Sequence, residues 1–162
     1  MVDFKKLLGN EEIIPETDPL KIFDYLDKES TIEGLRDSQK HILTKWHEDF
    51  RDKRDVIVKL PTGQGKTFIG LIMLQSILND NKGPVAYLCP TNYLVTQTIK
   101  QAKSLGIKTT QFEDDNEIPT DFLNSQAILV TTCKKMFNGI SKFGVMGSYR
   151  EAISLGAILM DD

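Results

Sequence analysis

Leu60-Pro61-Thr62-Gly63-Gln64-Gly65-Lys66-Thr67 places two glycines, a lysine and a hydroxyl residue in one short run. Val56-Ile57-Val58 precedes it as an apolar β-type run, and a long apolar helix-type run, Phe68 to Leu78, follows. Strand, glycine-rich turn ending in Lys-Thr, then helix is the context of a phosphate-binding P-loop. The amides that open a helix lack internal partners and carry partial positive charge. Gly63 and Gly65 let the backbone turn tightly and approach an anion with no Cβ in the way. Lys66 adds a full positive charge for β- and γ-phosphates, and Thr67 a hydroxyl for Mg²⁺. Pro61, Thr62 and Gln64 complete the cradle. The general P-loop pattern begins with Gly, and Leu60 stands there instead, so the subclass must accept a larger residue.

Other reactive side chains are sparse. Cys89 and Cys133 each end an apolar run and suit small buried roles rather than a disulfide framework. His41 and His47 do not combine with them at any recognised zinc spacing. A carboxylate-rich stretch, Glu113 to Glu117, reads as a solvated loop.

The elements that position the turn can be traced along the chain. Its 162 residues, 40% hydrophobic and 27% charged, suffice for one domain with a sizeable core. A net charge of −3 argues against a broad basic surface but leaves room for a local groove. No run is long enough to span a bilayer and no signal-peptide core is present, so no membrane partner is expected and the cytoplasm is the default.

Residues 1–34 read as a partly helical N-terminal extension that packs on the core, with a helix start at Thr17-Asp18-Pro19. A second helix opens near Leu35 and carries Ile42, Leu43, Trp46 and Phe50 at helical spacing. Trp46 reads as a core anchor, and the run Arg51 to Asp55 as a solvated helix end. The helix from Lys66 to Leu78 is apolar on nearly all sides and must be buried.

Apolar strands are expected at 56–60, 85–89, about 107–112, 127–131 and 157–160, with helices at 93–104 and about 148–155. Residues 134–149 suit a surface segment. Five strands without polar alternation, separated by helices, imply an α/β fold with a mainly parallel sheet covered on both faces. Ligands of such sheets sit at the carboxyl ends of the strands. The P-loop, Pro90-Thr91-Asn92, Thr131-Thr132 and Asp161-Asp162 all belong to that edge.

Taken together, Leu35-Arg36-Asp37-Ser38-Gln39 resembles the Q motif, Leu60 to Thr67 motif I, and Leu88 to Gln97 motif Ia. Val130-Thr131-Thr132 is similar to motifs Ib/Ic, and Ile158 to Asp162 to motif II. The ordered set resembles the first RecA-like domain of superfamily 2 helicases and translocases, the DExx/H-box ATPases, over about 35–162.

That resemblance implies a three-layer RecA-like P-loop domain that binds ATP and Mg²⁺ and acts on DNA or RNA. Arg36 and Gln39 would then serve the nucleotide, Gln39 by pairing its amide with adenine; an exposed helix glutamine is the alternative. Asp161 would hold Mg²⁺ together with Thr67. Asp162, where the family carries Glu, would polarise the attacking water. Pro90, Thr91, Asn92, Thr131 and Thr132 would contact nucleic-acid phosphates, unless the strand-end hydroxyls merely satisfy local backbone.

The chain stops on the motif II acids, so it reads as a fragment that needs a second RecA-like domain to hydrolyse ATP. A nucleotide switch acting without nucleic acid and a degenerate ATP-binding scaffold are the competing readings.

Overall fold

Among the described residues, four parallel strands form one sheet, in the order β2-β3-β1-β4. The computed structural model describes residues 15–112, 117–138, 143 and 153–161. The strands are β1 (Val85–Cys89), β2 (Thr109–Thr110), β3 (Ile128–Thr132) and β4 (Ala157–Met160). The helices are α1 (Pro19–Tyr25), α2 (Asp37–Lys45), α3 (Lys66–Asn79), α4 (Asn92–Ser104), α5 (Thr120–Leu123) and α6 (Cys133–Met136). Crossovers through α4 and α5 keep neighbouring strands parallel, which a tight hairpin could not do.

Alternation along each strand sends side chains to opposite faces. Val85, Tyr87, Cys89, Ile128 and Val130 join the cluster under α3 and α4, with Leu43, Trp46, Leu71 and Ile72. Ala86, Leu88 and Leu129 face the other way and pack with Phe122 of α5 and Met136 of α6. Both faces of β1 and β3 are therefore covered, and all five residues of each strand are buried. This is the three-layer arrangement that continuous apolar strands require.

The strand expected at 56–60 is absent. Residues 54–61 are extended or irregular, and Ile57 is 84% exposed. An apolar β-branched run becomes a strand only where a neighbour supplies ladder hydrogen bonds, and none of the described strands pairs with it. The strand expected at 107–112 contracts to Thr109–Thr110, because β3 offers it register only at Ile128 and Leu129.

The surface segment expected at 134–149 starts differently: Cys133–Met136 is helical and Met136 is buried. The helix expected at about 148–155 and the acidic loop lie largely outside the described residues, as do Asp162 and residues 1–14.

Arg51 also departs from expectation. Its side chain is buried rather than solvated and donates to Thr17 O at 3.3 Å, Ser76 Oγ at 2.8 Å and Ser76 O at 3.0 Å. It pairs with Asp80 at 3.2 Å and lies over the Trp46 ring, 5.7 Å from its centroid. A planar guanidinium with five donors can satisfy several elements at once. Arg51 thus ties the end of the α2 helical segment, whose last turn (Trp46–Phe50) is π-helical, to the C-terminal half of α3.

The segment around α1 lies against this frame. Ile22 and Phe23 are buried, Asn79 Nδ2 donates to Glu16 O at 2.7 Å, and Glu29 N donates to Ser104 O at 2.9 Å. Beyond the end of α4 stands Gly106, whose φ is +73°, and Ile107 N returns to Ala102 O at 2.9 Å. That closure needs a residue tolerant of left-handed backbone. A Cβ on Gly106 would lie 2.5 Å from Asp27 O.

Gly106→Ala should therefore lose about 1–2 kcal/mol from backbone alone, with a further loss as the Asp27 backbone is displaced. Chemical denaturation measures the first effect, and limited proteolysis at 26–34 the second. An unchanged midpoint and cleavage pattern would contradict this packing.

Candidate functional site

The glycine-rich turn joins the exposed 56–61 segment to α3. Gly63 and Gly65 have φ of +81° and +79°, so both occupy the left-handed region that side chains disfavour. Among the described residues, no atom beyond Gly63 and its chain neighbours lies within 4 Å of the place a Cβ would take there, so this side of the turn is open to a ligand. At Gly65 a Cβ would collide with the Gln39 amide. The two glycines thus serve different needs, an open face and a close approach.

Arg36 and Gln39 hold the turn from behind. Arg36 Nη1 donates to Gly63 O at 3.0 Å, and Gln39 Nε2 donates to Gln64 O at 3.0 Å. Gln39 Oε1 accepts from Arg36 N at 3.0 Å, closing the N-terminus of α2. Gln39 is buried, and both ends of its amide are engaged within the chain. Here the glutamine acts as a strut under the turn, neither an exposed helix residue nor an unengaged base reader.

Pro61, Thr62 and Gly63 are exposed, whereas Gln64, Gly65, Lys66 and Thr67 are half-buried. Lys66 is the first residue of α3, a 14-residue helix capped by Gly65 with no side-chain cap. A lysine in this position brings a cation to the positive end of the helix dipole. The combination favours a multiply charged anion in front of it.

Across from the turn, β4 delivers Asp161. Its amide donates to Leu88 O at 2.9 Å, which anchors it to β1 just past the end of the ladder. Tyr87 Oη donates to Asp161 Oδ2 at 2.9 Å. The phenol, packed against Gly70 of α3, therefore holds the acid that ends β4. Burial, and next the charge of Asp161, push the Tyr87 phenol far above its ordinary value. It stays a donor at every physiological pH.

Sequence reasoning passed over Tyr87. The signal was a single phenol inside the aliphatic run 85–89, since a buried tyrosine hydroxyl requires a partner.

The remaining predicted residues fall into two groups. Pro90, Thr91 and Asn92 are exposed at the carboxyl end of β1, where Thr91 Oγ1 accepts from Leu94 N at 3.3 Å and caps α4. Thr131 and Thr132 are buried, and Thr132 Oγ1 accepts from Lys135 N at 3.3 Å as the cap of α6. In this structure the hydroxyls of Thr91 and Thr132 satisfy local backbone. Lys134 and Lys135 stand exposed beside them. Among the described residues no group of His, Cys, Asp and Glu has the arrangement of a metal site. No helix there is long and apolar enough to cross a membrane.

Comparison with known proteins agrees with this geometry. Residues 32–156, well over half of the chain, match the family model described as type III restriction enzyme, res subunit. The chain is similar to the ATP-dependent DNA helicase Hel308 of Pyrococcus abyssi (strain GE5 / Orsay), with 26% identity over 120 residues. That match covers 72% of this chain and 16% of the relative, so the chain spans about one sixth of its length. No solved structure matches. With a parallel sheet, a glycine-rich turn at the head of α3 and an acid at the end of β4, the chain belongs to the type III restriction enzyme res subunit family and folds as the RecA-like N-terminal domain of a superfamily 2 helicase.

Proposed function

We propose that this chain is the ATP-binding half of a helicase or translocase that couples Mg²⁺-ATP hydrolysis to movement on nucleic acid. The observation that carries the reading is Asp161 held by Tyr87 on the sheet face under α3, the helix that Lys66 and Thr67 open behind a glycine-rich turn whose outer face is open. A hydroxyl and a carboxylate are the oxygen donors that Mg²⁺ accepts. Thr62 to Thr67 would hold the phosphates, with Lys66 on the β- and γ-phosphates and Thr67 and Asp161 on the metal. Asp162 would polarise water. Arg36 and Gln39 would set the turn's shape and, by re-pairing, read the base. Bound Mg²⁺-ATP supplies a phosphoryl group for transfer to water and a cation that offsets its charge.

The exposed Pro90-Thr91-Asn92 edge, with Lys134 and Lys135, would contact the strand's phosphates. Thr131 and Thr132 would support that edge from beneath. The name of the relative from Pyrococcus abyssi makes DNA the strand we favour over RNA. Residues 35–162 form the ATP-binding unit in this reading, and 1–34 an extension docked on it. A second RecA-like domain would supply the rest of the hydrolytic site, and the cytoplasm is its setting.

ATP turnover of the full-length protein, measured with and without single- and double-stranded DNA or RNA, tests the proposal. Stimulation is expected, and it should weaken steeply as salt rises, because phosphate contacts release counterions. Turnover indifferent to nucleic acid would favour a nucleotide switch. Mg²⁺-ATP binding without hydrolysis would favour a scaffold.

A further inference from the structure

We infer that Tyr87 is a positioning residue of the nucleotide–metal site, its hydroxyl orienting the Asp161 carboxylate before a cation enters. The inference rests on the nucleotide-site reading above.

Packing alone does not call for a phenol at this position. Tyr87 lies in the middle of β1, between β3 and β4, with its side chain on the α3 face of the sheet and 1% exposed. Phe would fill the same volume. Tyr instead brings a hydroxyl whose burial is unfavourable unless it is paired. Its partner is the side chain of Asp161.

The ring has little freedom to move away. Gly70 of α3 passes so close that a Cβ there would lie 3.1 Å from Tyr87 Cε2 and 2.6 Å from Leu159 Cδ1. The close helix–sheet approach at Gly70 fixes the ring, and the ring fixes the hydroxyl. Asp161 is in turn held at its own amide by Leu88 O. Its backbone and one carboxylate oxygen are thus both anchored on β1. A carboxylate has about four lone-pair sites, so the bond at Oδ2 leaves acceptor capacity for a metal or its water. Groups that orient a metal ligand in this way commonly change metal affinity about 10–100-fold when removed.

Tyr87→Phe in the full chain tests this by binding rather than turnover. A fluorescent ATP analogue is titrated once in EDTA and once across a Mg²⁺ series. In EDTA the affinity should stay within about twofold of wild type, because no metal ligand needs orienting. The Mg²⁺ concentration at half-effect should rise about tenfold. The same substitution in an Asp161→Ala background should then leave the Mg²⁺ midpoint unmoved, since the group it orients is gone.

An unchanged Mg²⁺ midpoint in the single variant would overturn the inference. Equal loss of binding with and without Mg²⁺ would also overturn it, by making the hydroxyl a purely structural group. If the wild-type chain bound no nucleotide in either condition, the nucleotide-site reading itself would fall.

Discussion

Lys66→Ala is expected to remove nucleic-acid-stimulated ATP hydrolysis from the full-length protein while leaving the domain folded. Lys66 begins α3 directly after the left-handed Gly65, so its charge stands where a triphosphate would meet the helix terminus. A hydrogen bond to a charged group contributes about 1.5–3 kcal/mol, which corresponds to roughly 10–100-fold in nucleotide affinity. The effect on turnover should be larger, because negative charge on the transferring group must be stabilised in the transition state.

Stability should change little, since Ala is at least as good a helix former as Lys. Turnover and melting temperature measured on the same preparation separate the two effects. Hydrolysis at the wild-type rate would remove the glycine-rich turn from the mechanism.

Phe122→Ala should do the opposite. Phe122 is fully buried on the sheet face away from α3, and its ring meets Phe143 edge-on at 6.0 Å. The cluster there is small: Ala86, Leu88, Leu129 and Met136 are its other buried members. Replacing the ring by a methyl group should cost about 3–5 kcal/mol, counting both lost burial and the cavity left behind. Domains of this kind have only about 5–15 kcal/mol in total, so the denaturation midpoint should fall sharply. Nucleotide affinity of the folded fraction should be retained, because the turn and Asp161 lie on the opposite side of β1. A midpoint within about 0.5 kcal/mol of wild type would mean that this face of the sheet is not packed as described.

Much of the architecture was legible in the chain itself. The all-apolar helix after Lys66 could only be an interior helix, and α3 is one, with Leu71 and Ile72 fully buried. Runs such as Val85 to Cys89 and Ala127 to Thr131 lack alternation because both faces of β1 and β3 are covered. The residues from Gly63 to Thr67 announced their conformation, since a turn of this kind needs left-handed backbone where the glycines stand. These are local properties, decided by side-chain size, polarity and backbone freedom.

What failed was non-local. Val56 to Leu60 has strand composition, yet strand identity depends on a hydrogen-bonding neighbour, and none of the described strands pairs with it. Arg51 looked like a solvent residue within a charged run, but Thr17, Ser76 and Asp80 lie far from it in sequence and converge on its guanidinium. Gln39 was legible as a polar residue of the right kind, whereas its engagement under Gln64 required the fold.

The turn from Leu60 to Thr67 shows the same division most sharply. Its sequence alone pointed to an anion there, because two glycines, a lysine and a helix start act over a few bonds. Only the tertiary structure decided what faces it. β4 lies beside β1 in the sheet, and their pairing brings Asp161 to Tyr87 across more than seventy intervening residues. Spacing along a chain carries no distance through space until the strands are paired, and that pairing turns a phosphate cradle into a candidate metal–nucleotide site.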